Sequence, residues 1–114
     1  MHKIQIKPLS VNDSWQGKRF KTPKYKAYEV EMLYKLPPLN IKGDFLHISI
    51  EFGFSNSRSD IDNPIKPILD IFQKKYGFND CSIYSLSIKK NKVEKGNEYI
   101  NFEIKEYDKF VASI

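Results

Sequence analysis

Apolar and polar residues alternate in four stretches of this chain and recur at helical spacing in two others. Ile4 and Ile6 alternate with Lys3, Gln5 and Lys7, which predicts a short first strand closed by Pro8. From Leu46 to Phe54 the even positions are Leu46, Ile48, Ile50, Phe52 and Phe54, a period of two that predicts a half-buried strand. Tyr84, Leu86 and Ile88 alternate in the same way, as do Ile100, Phe102 and Ile104. Joined through Glu94 to Asn97, with Gly96 in the turn, these last two strands are expected to form a hairpin.

The first helical segment opens at Thr22 before Pro23, because Thr caps free N–H groups and Pro at the first helical position gives up no intrahelical bond. Tyr25, Tyr28, Met32 and Leu36 fall near one stripe, and Pro37 and Pro38 end the helix. In the second segment Ile65, Ile68, Leu69, Phe72 and Tyr76 recur at helical spacing until Gly77, a natural terminator. Pro64 suits its first position, but Pro67 disfavours helical geometry at Lys66, so an irregular first turn is expected. Ser10 to Lys21 reads as a long basic loop, and the tail from Tyr107 is too short to read, although Tyr107, Phe110, Val111 and Ile114 could pack on the domain or on a second subunit. The order β-α-β-α-β-β predicts an α+β class: one domain over residues 1–114, with a small mixed sheet and helices packed on it.

Composition narrows this picture. A chain of 114 residues with 40% apolar content supports one modest core, and sixteen aromatics argue against a disordered chain. Cys81 is the only cysteine, which excludes an internal disulfide and a thiolate zinc cluster within one chain, so any metal must come to oxygen ligands. No stretch resembles a secretory apolar core or reaches the ~20 apolar residues of a membrane span, so a cytoplasmic protein without membrane contact is expected. The formal charge of +5 favours a polyanionic partner without identifying one.

Candidate chemistry lies in Arg58-Ser59-Asp60-Ile61-Asp62-Asn63-Pro64-Ile65-Lys66, between the clearest strand and the second helix. If this stretch stays extended, Asp60 and Asp62 project to one side roughly 6.5 Å apart, close enough to share one hard cation such as magnesium or manganese. The same residues also make ordinary turns and helix caps, so spacing alone leaves both readings open. A helix-loop-helix calcium loop is excluded, because Pro64, Ile65 and Ile71 stand where it needs an oxygen ligand, a glycine and a glutamate. Lys66 and Asp70 follow Asp62 at one-turn intervals, which fits either a functional row or a plain salt-bridge ladder. Asp80 sits in a second polar turn before the third strand, and alone would be a surface aspartate.

In combination, Asp60-Ile61-Asp62-Asn63, Lys66, Asp70, Gly77-Phe78-Asn79-Asp80, Ile83 and Lys90 resemble the pattern of the RusA-type Holliday junction resolvases. Ser10-Val11-Asn12, the basic loop and the Lys/Tyr-rich helix also look like that family's N-terminal half, so the resemblance spans most of the chain. It implies that Asp60, Asp62 and Asp80 are metal-binding catalytic acids and that Lys66 takes part in activity, with Asn63 and Asp70 supporting them. The chain departs from the pattern at Asn79, where the family has the first acid of a pair.

The resemblance further implies a homodimer that uses Mg2+, with Mn2+ as a substitute, to nick four-way DNA junctions in recombination and repair and leave 5′-phosphates. Lys18, Arg19, Lys21, Lys24, Arg58, Lys89 and Lys90 are candidate phosphate contacts, and each singly is also an ordinary surface charge. Trp15 and Phe20, interleaved with the basic loop, could stack at an opened junction or pack in the core. A helix of about twelve residues, roughly 18 Å long, separates Asp62 from Asp80. Either the third strand runs back toward the first motif or Asp80 serves the partner subunit's site. Competing readings are a nuclease for other branched DNA, a branched-DNA-binding module without catalysis, and an interaction protein whose acidic turn only caps a helix. His2 and His47 offer no general-base or zinc pattern.

Overall fold

The computed structural model describes residues 1–9, 15–16 and 20–107, with residues 15, 16 and 20 described by their backbone alone. Six strands and two helices run in the order β1 (His2–Ile4), β2 (Trp15–Gln16), β3 (Phe20–Lys21), α1 (Pro23–Lys35), β4 (Leu46–Phe54), α2 (Ile65–Tyr76), β5 (Ile83–Lys92) and β6 (Tyr99–Glu106). The class is α+β. Apart from the two-residue ribbon β2–β3, which falls inside the expected basic loop, the order of elements is the one the periodicity implies.

β4 was the clearest strand in the sequence, and its bounds coincide with the alternating run. All five even side chains are buried, because strand geometry sends them to the face that both helices cover. Tyr25, Tyr28 and Met32 of α1 and Ile68, Ile71 and Phe72 of α2 join Ile48, Ile50, Phe52 and Phe54 in one core, completed by Ile4, Ile100 and Phe102. Phe72 and Phe102 meet with ring centroids 4.7 Å apart, which locks α2 onto β6.

The four-stranded sheet has the order β1-β6-β4-β5. β4 pairs with β5 in parallel and with β6 antiparallel, so the sheet is mixed. The expected β5–β6 hairpin is therefore corrected: both strands exist, but β4 lies between them. The connection does turn at Gly96, where Asn97 N–H bonds to Glu94 C=O, and it passes over the end of β4, where Val93 N–H bonds to Phe54 C=O at 2.8 Å. Two strand spacings are about 9.6 Å, a gap that six residues bridge easily.

Local chemistry sets the helix ends. Thr22 Oγ1 accepts from Tyr25 N–H at 3.1 Å with Pro23 in the first turn, and Gly77 closes α2 at φ 76°. The expected irregular first turn of α2 does not occur within the helix. Pro64 is its N-cap and Pro67 its third residue, two positions whose N–H groups have no intrahelical partner anyway. The irregularity is displaced into the turn Ile61–Pro64. Strand β1 is also shorter than expected, ending at Ile4 with a bend at Ile6. Glu29 ties the helices together, accepting from Lys21 at 2.8 Å and from Lys74 of α2 at 3.0 Å. Burial pushes this carboxyl up, but the bonds and charges of the two lysines outweigh it and hold Glu29 below the usual carboxylate range.

The other face of the sheet carries no helix residue of the core and is polar. His47 is held between Ser85 and Ser49, at 2.7 and 2.8 Å. Tyr99 lies over Gly53, where an added Cβ would meet its ring at 2.3 Å, and its hydroxyl donates to Glu51 at 3.0 Å. Among the described residues no helix is long and apolar enough to cross a membrane.

Candidate functional site

The loop after β4 is shaped by one asparagine. Asn56 Oδ1 accepts from the N–H groups of Arg58 and Ser59, each at 3.0 Å, and from the Ser59 hydroxyl at 3.1 Å. This side-chain turn redirects the chain at the end of the strand. Lys90 of β5 then donates to Ser59 C=O at 2.6 Å, fastening the loop to the neighbouring strand. Asn56 was not singled out in the sequence, although an Asn just past a strand end and ahead of Ser-Arg-Ser is a signal for such a turn.

Asp60 and Asp62 follow, both exposed. The segment is a turn and not the extended stretch that would align the two carboxylates: Asn63 N–H bonds to Asp60 C=O at 3.3 Å, and Ile65 N–H to Asp62 C=O at 3.2 Å. Asn63 Nδ2 also reaches Asp60 Oδ2 at 3.4 Å. Asp62 precedes α2, so the row Asp62-Lys66-Asp70 does not form as a continuous ladder. Its second half does, with Lys66 Nζ 2.9 Å from Asp70 Oδ1.

Asp80 is elsewhere. It opens a single 3-10 turn, Asp80–Ser82, ahead of Ile83, which stands opposite Leu46 at the start of β4. The Asp60 loop is fastened at Lys90, opposite Phe52, near the other end of the parallel pair. Seven residue steps of strand, roughly 23 Å by strand rise, separate Ile83 from Lys90. Strand β5 does run toward the first motif, but it carries Lys90 there and leaves Asp80 behind. Among the described residues no group of three His, Cys, Asp or Glu side chains could hold a metal ion. A single chain therefore does not assemble Asp60, Asp62 and Asp80 as one oxygen donor set.

The structure does gather cations near the Asp60 loop. Arg58 is exposed within it, and Lys90 and Lys92 are exposed on β5, whereas Lys89 stands opposite Glu51 on the other face of the sheet. Lys24 is exposed on the first turn of α1 and lines the same cavity as Arg58 and Asp60. Lys21 is engaged inside the fold, with Glu29 and with its Nζ 4.9 Å from the Tyr25 ring centre. Lys18 and Arg19, Ser10-Val11-Asn12, the side chains of Trp15 and Phe20, and the tail residues Phe110, Val111 and Ile114 lie outside the described residues.

The cavity itself was not foreseen. It has a volume of about 450 Å³ and runs between the Ile6–Leu9 segment, α1 and the Asp60 loop. Tyr28 lines it, and its hydroxyl is buried and donates to no partner among the described residues. Burial pushes this phenol far above its ordinary range, and the Leu9 main chain offsets only part of that rise. In the sequence Tyr28 is one member of an apolar stripe, where its ring explains its position and its hydroxyl does not.

No protein-family model and no curated protein sequence matches this chain.

Proposed function

We propose that this protein is a magnesium-dependent, structure-selective DNA endonuclease of the RusA type, acting in the cytoplasm as a homodimer. It resolves four-way junctions by paired symmetric nicks that leave 5′-phosphates. The observation that carries this reading is the grouping, at the carboxyl end of β4, of the Asp60–Asp62 loop with Arg58 and Lys90 on a basic protein. Carboxylates beside a phosphodiester repel it unless a cation lies between them, and the flanking lysines and arginine suit the phosphates on either side.

One chain supplies only part of the acid set, so the reading requires a second copy. β5 is a sheet edge with Tyr84 and Leu86 exposed at 54% and 41%. Pairing two copies along this edge, with the two-fold axis perpendicular to the strand, runs β5 antiparallel to its mate. That arrangement lays the partner's Asp80 beside Lys90 and Lys92, next to the Asp60 loop, and builds two equivalent sites for two matched nicks. Asp60 and Asp62 from one chain and the partner's Asp80 would then hold the cation, with Lys66 and Asn63 close by. Bound there, magnesium polarises a phosphodiester and lowers the pKa of a water ligand.

The test is cleavage of a labelled synthetic four-way junction in magnesium by the wild type and by Asp62→Asn, with linear duplex and Y-shaped DNA alongside. Symmetric junction nicking, lost in the variant, is expected. Equal cutting of every branched substrate would make this a nuclease of broader branch preference. A second reading, a branched-DNA-binding module without catalysis, is favoured by the separation of Asp80 from the other acids within one chain. Junction binding without cutting in either magnesium or manganese would select it.

A further inference from the structure

The cavity beside Asp60 is a recess that the proposed chemistry leaves without a role. We propose that it is a subsite for a single unstacked nucleotide of the strand being cut: the base enters the cavity and donor contact comes from Tyr28, while the adjoining phosphate remains at the rim by Arg58 and Asp60. The proposal rests on the nuclease reading for the identity of the strand, but not for the binding itself.

Four observations support it. The volume, about 450 Å³, lies in the ~300–1,000 Å³ range of ligand pockets and admits one nucleotide but not a duplex. Part of the wall is apolar, supplied by Ile6, Leu9, Phe54 and Pro64, and the rest is polar, so the recess offers a base both a ring contact and hydrogen-bonding groups. The buried Tyr28 hydroxyl donates to no partner among the described residues, which costs free energy until an acceptor arrives. A base edge offers such acceptors in its carbonyl oxygens and ring nitrogens. The lining glutamates are already engaged, Glu31 with Lys35 at 2.7 Å and Glu98 with the Ser55 hydroxyl at 2.7 Å.

Position gives the subsite its meaning. Arg58, Ser59, Asp60 and Asn63 form one side of the cavity, so a base held within it brings its own backbone to the carboxylates. Extracting a base from a continuous duplex sacrifices pairing and stacking, and the loss is smallest where stacking is already interrupted. A base-accepting cavity therefore favours branch points over linear DNA without reading any particular junction shape.

The first measurement is nuclear magnetic resonance titration of the wild-type protein with each nucleoside 5′-monophosphate and with deoxyribose 5-phosphate, which has no base. Saturable shifts at the amides of Ala27, Tyr28 and Arg58 are expected from nucleotides and not from the sugar phosphate. Tyr28→Phe should weaken binding about fivefold, the equivalent of one neutral hydrogen bond, while leaving thermal stability unchanged or raised. Ala27→Trp, at an exposed cavity-lining position on α1, should remove binding by filling the space. No saturable shift up to on the order of 10 mM, or an equal response to deoxyribose 5-phosphate, would overturn the subsite.

The second measurement places 2-aminopurine at the cleaved position of a junction and uses Asp62→Asn. Its fluorescence should rise on binding, as the base leaves the stack, and stay flat with Ala27→Trp in the same background. Junction cutting by Ala27→Trp at the wild-type rate and selectivity would sink the subsite while the nuclease reading stood. Nucleotide binding at Tyr28 in a protein that cuts no DNA would sink the nuclease reading and keep the subsite.

Discussion

The two ends of the β4–β5 pair are built differently. At the carboxyl end of β4, a side-chain turn around Asn56 and a lysine from the neighbouring strand fix a loop that carries Asp60 beside a cavity and several cations. At the amino end, Asp80 stands exposed on a single 3-10 turn, near an aromatic group in which Tyr84 lies 4.4 Å from Phe45 and 5.8 Å from Tyr107. One end has the furniture of a site, and the other has a lone acid with an exposed aromatic surface. Residues that look like one motif in sequence are thus parted, within one chain, by a parallel strand pair.

The largest expected effect tests whether the ends act together. Asp62→Asn and Asp80→Asn should each lower junction cleavage beyond the ~10–100-fold typical of supporting residues, although they sit at opposite ends of the chain's own sheet. A junction-nicking assay in magnesium measures both, and retention of activity by Asp80→Asn would confine the site to the β4 end.

Next comes Gly53→Ala, which drives a Cβ into the Tyr99 ring on the polar face near the same end of β4. A loss of about 1–3 kcal/mol in denaturant unfolding is expected, with the Glu51–Tyr99 contact disturbed. Smaller still, Tyr84→Ala at the opposite end should leave chain stability within about 1 kcal/mol, because the ring is more than half exposed. Its expected consequence is weaker self-association, read by analytical ultracentrifugation.

A last effect appears at alkaline pH. Burial pushes Tyr25 and Tyr76 up to about 12, from the ordinary phenol value of 10.0. Their protonated forms are favoured in the fold, so that stability is complete below pH 10.0 and is lost as pH rises toward about 12. Ultraviolet titration of tyrosinate should show part of the signal delayed in native protein and shifted back on unfolding.

Much of this fold is written in local periodicity. β4 is legible because its five even positions are apolar, and α2 because Ile68 and Phe72 share a stripe that ends at Gly77. The strand partners are not. The turn at Gly96 satisfies a tight hairpin and a connection across β4 equally well, and choosing between them depends on which strand β4 accepts as a neighbour. The same non-local fact decides the site. Asp60 and Asp62 are legible as a pair, but the turn at Ile61–Pro64 and the far placement of Asp80 follow from chain direction, which spacing does not encode. The cavity was hidden for another reason: a tyrosine on an apolar stripe satisfies the core pattern with its ring and says nothing of its hydroxyl.

The central claim is that each site joins Asp60 and Asp62 of one chain with Asp80 of the partner subunit. Mixing equal amounts of Asp62→Asn and Asp80→Asn proteins under conditions of subunit exchange tests it most directly. Half the dimers then carry one variant of each kind, and each such dimer holds one intact site. Nicking should return to about a quarter of the wild-type rate, with one strand cut per junction instead of two. A mixture as inactive as its two parents would contradict the account.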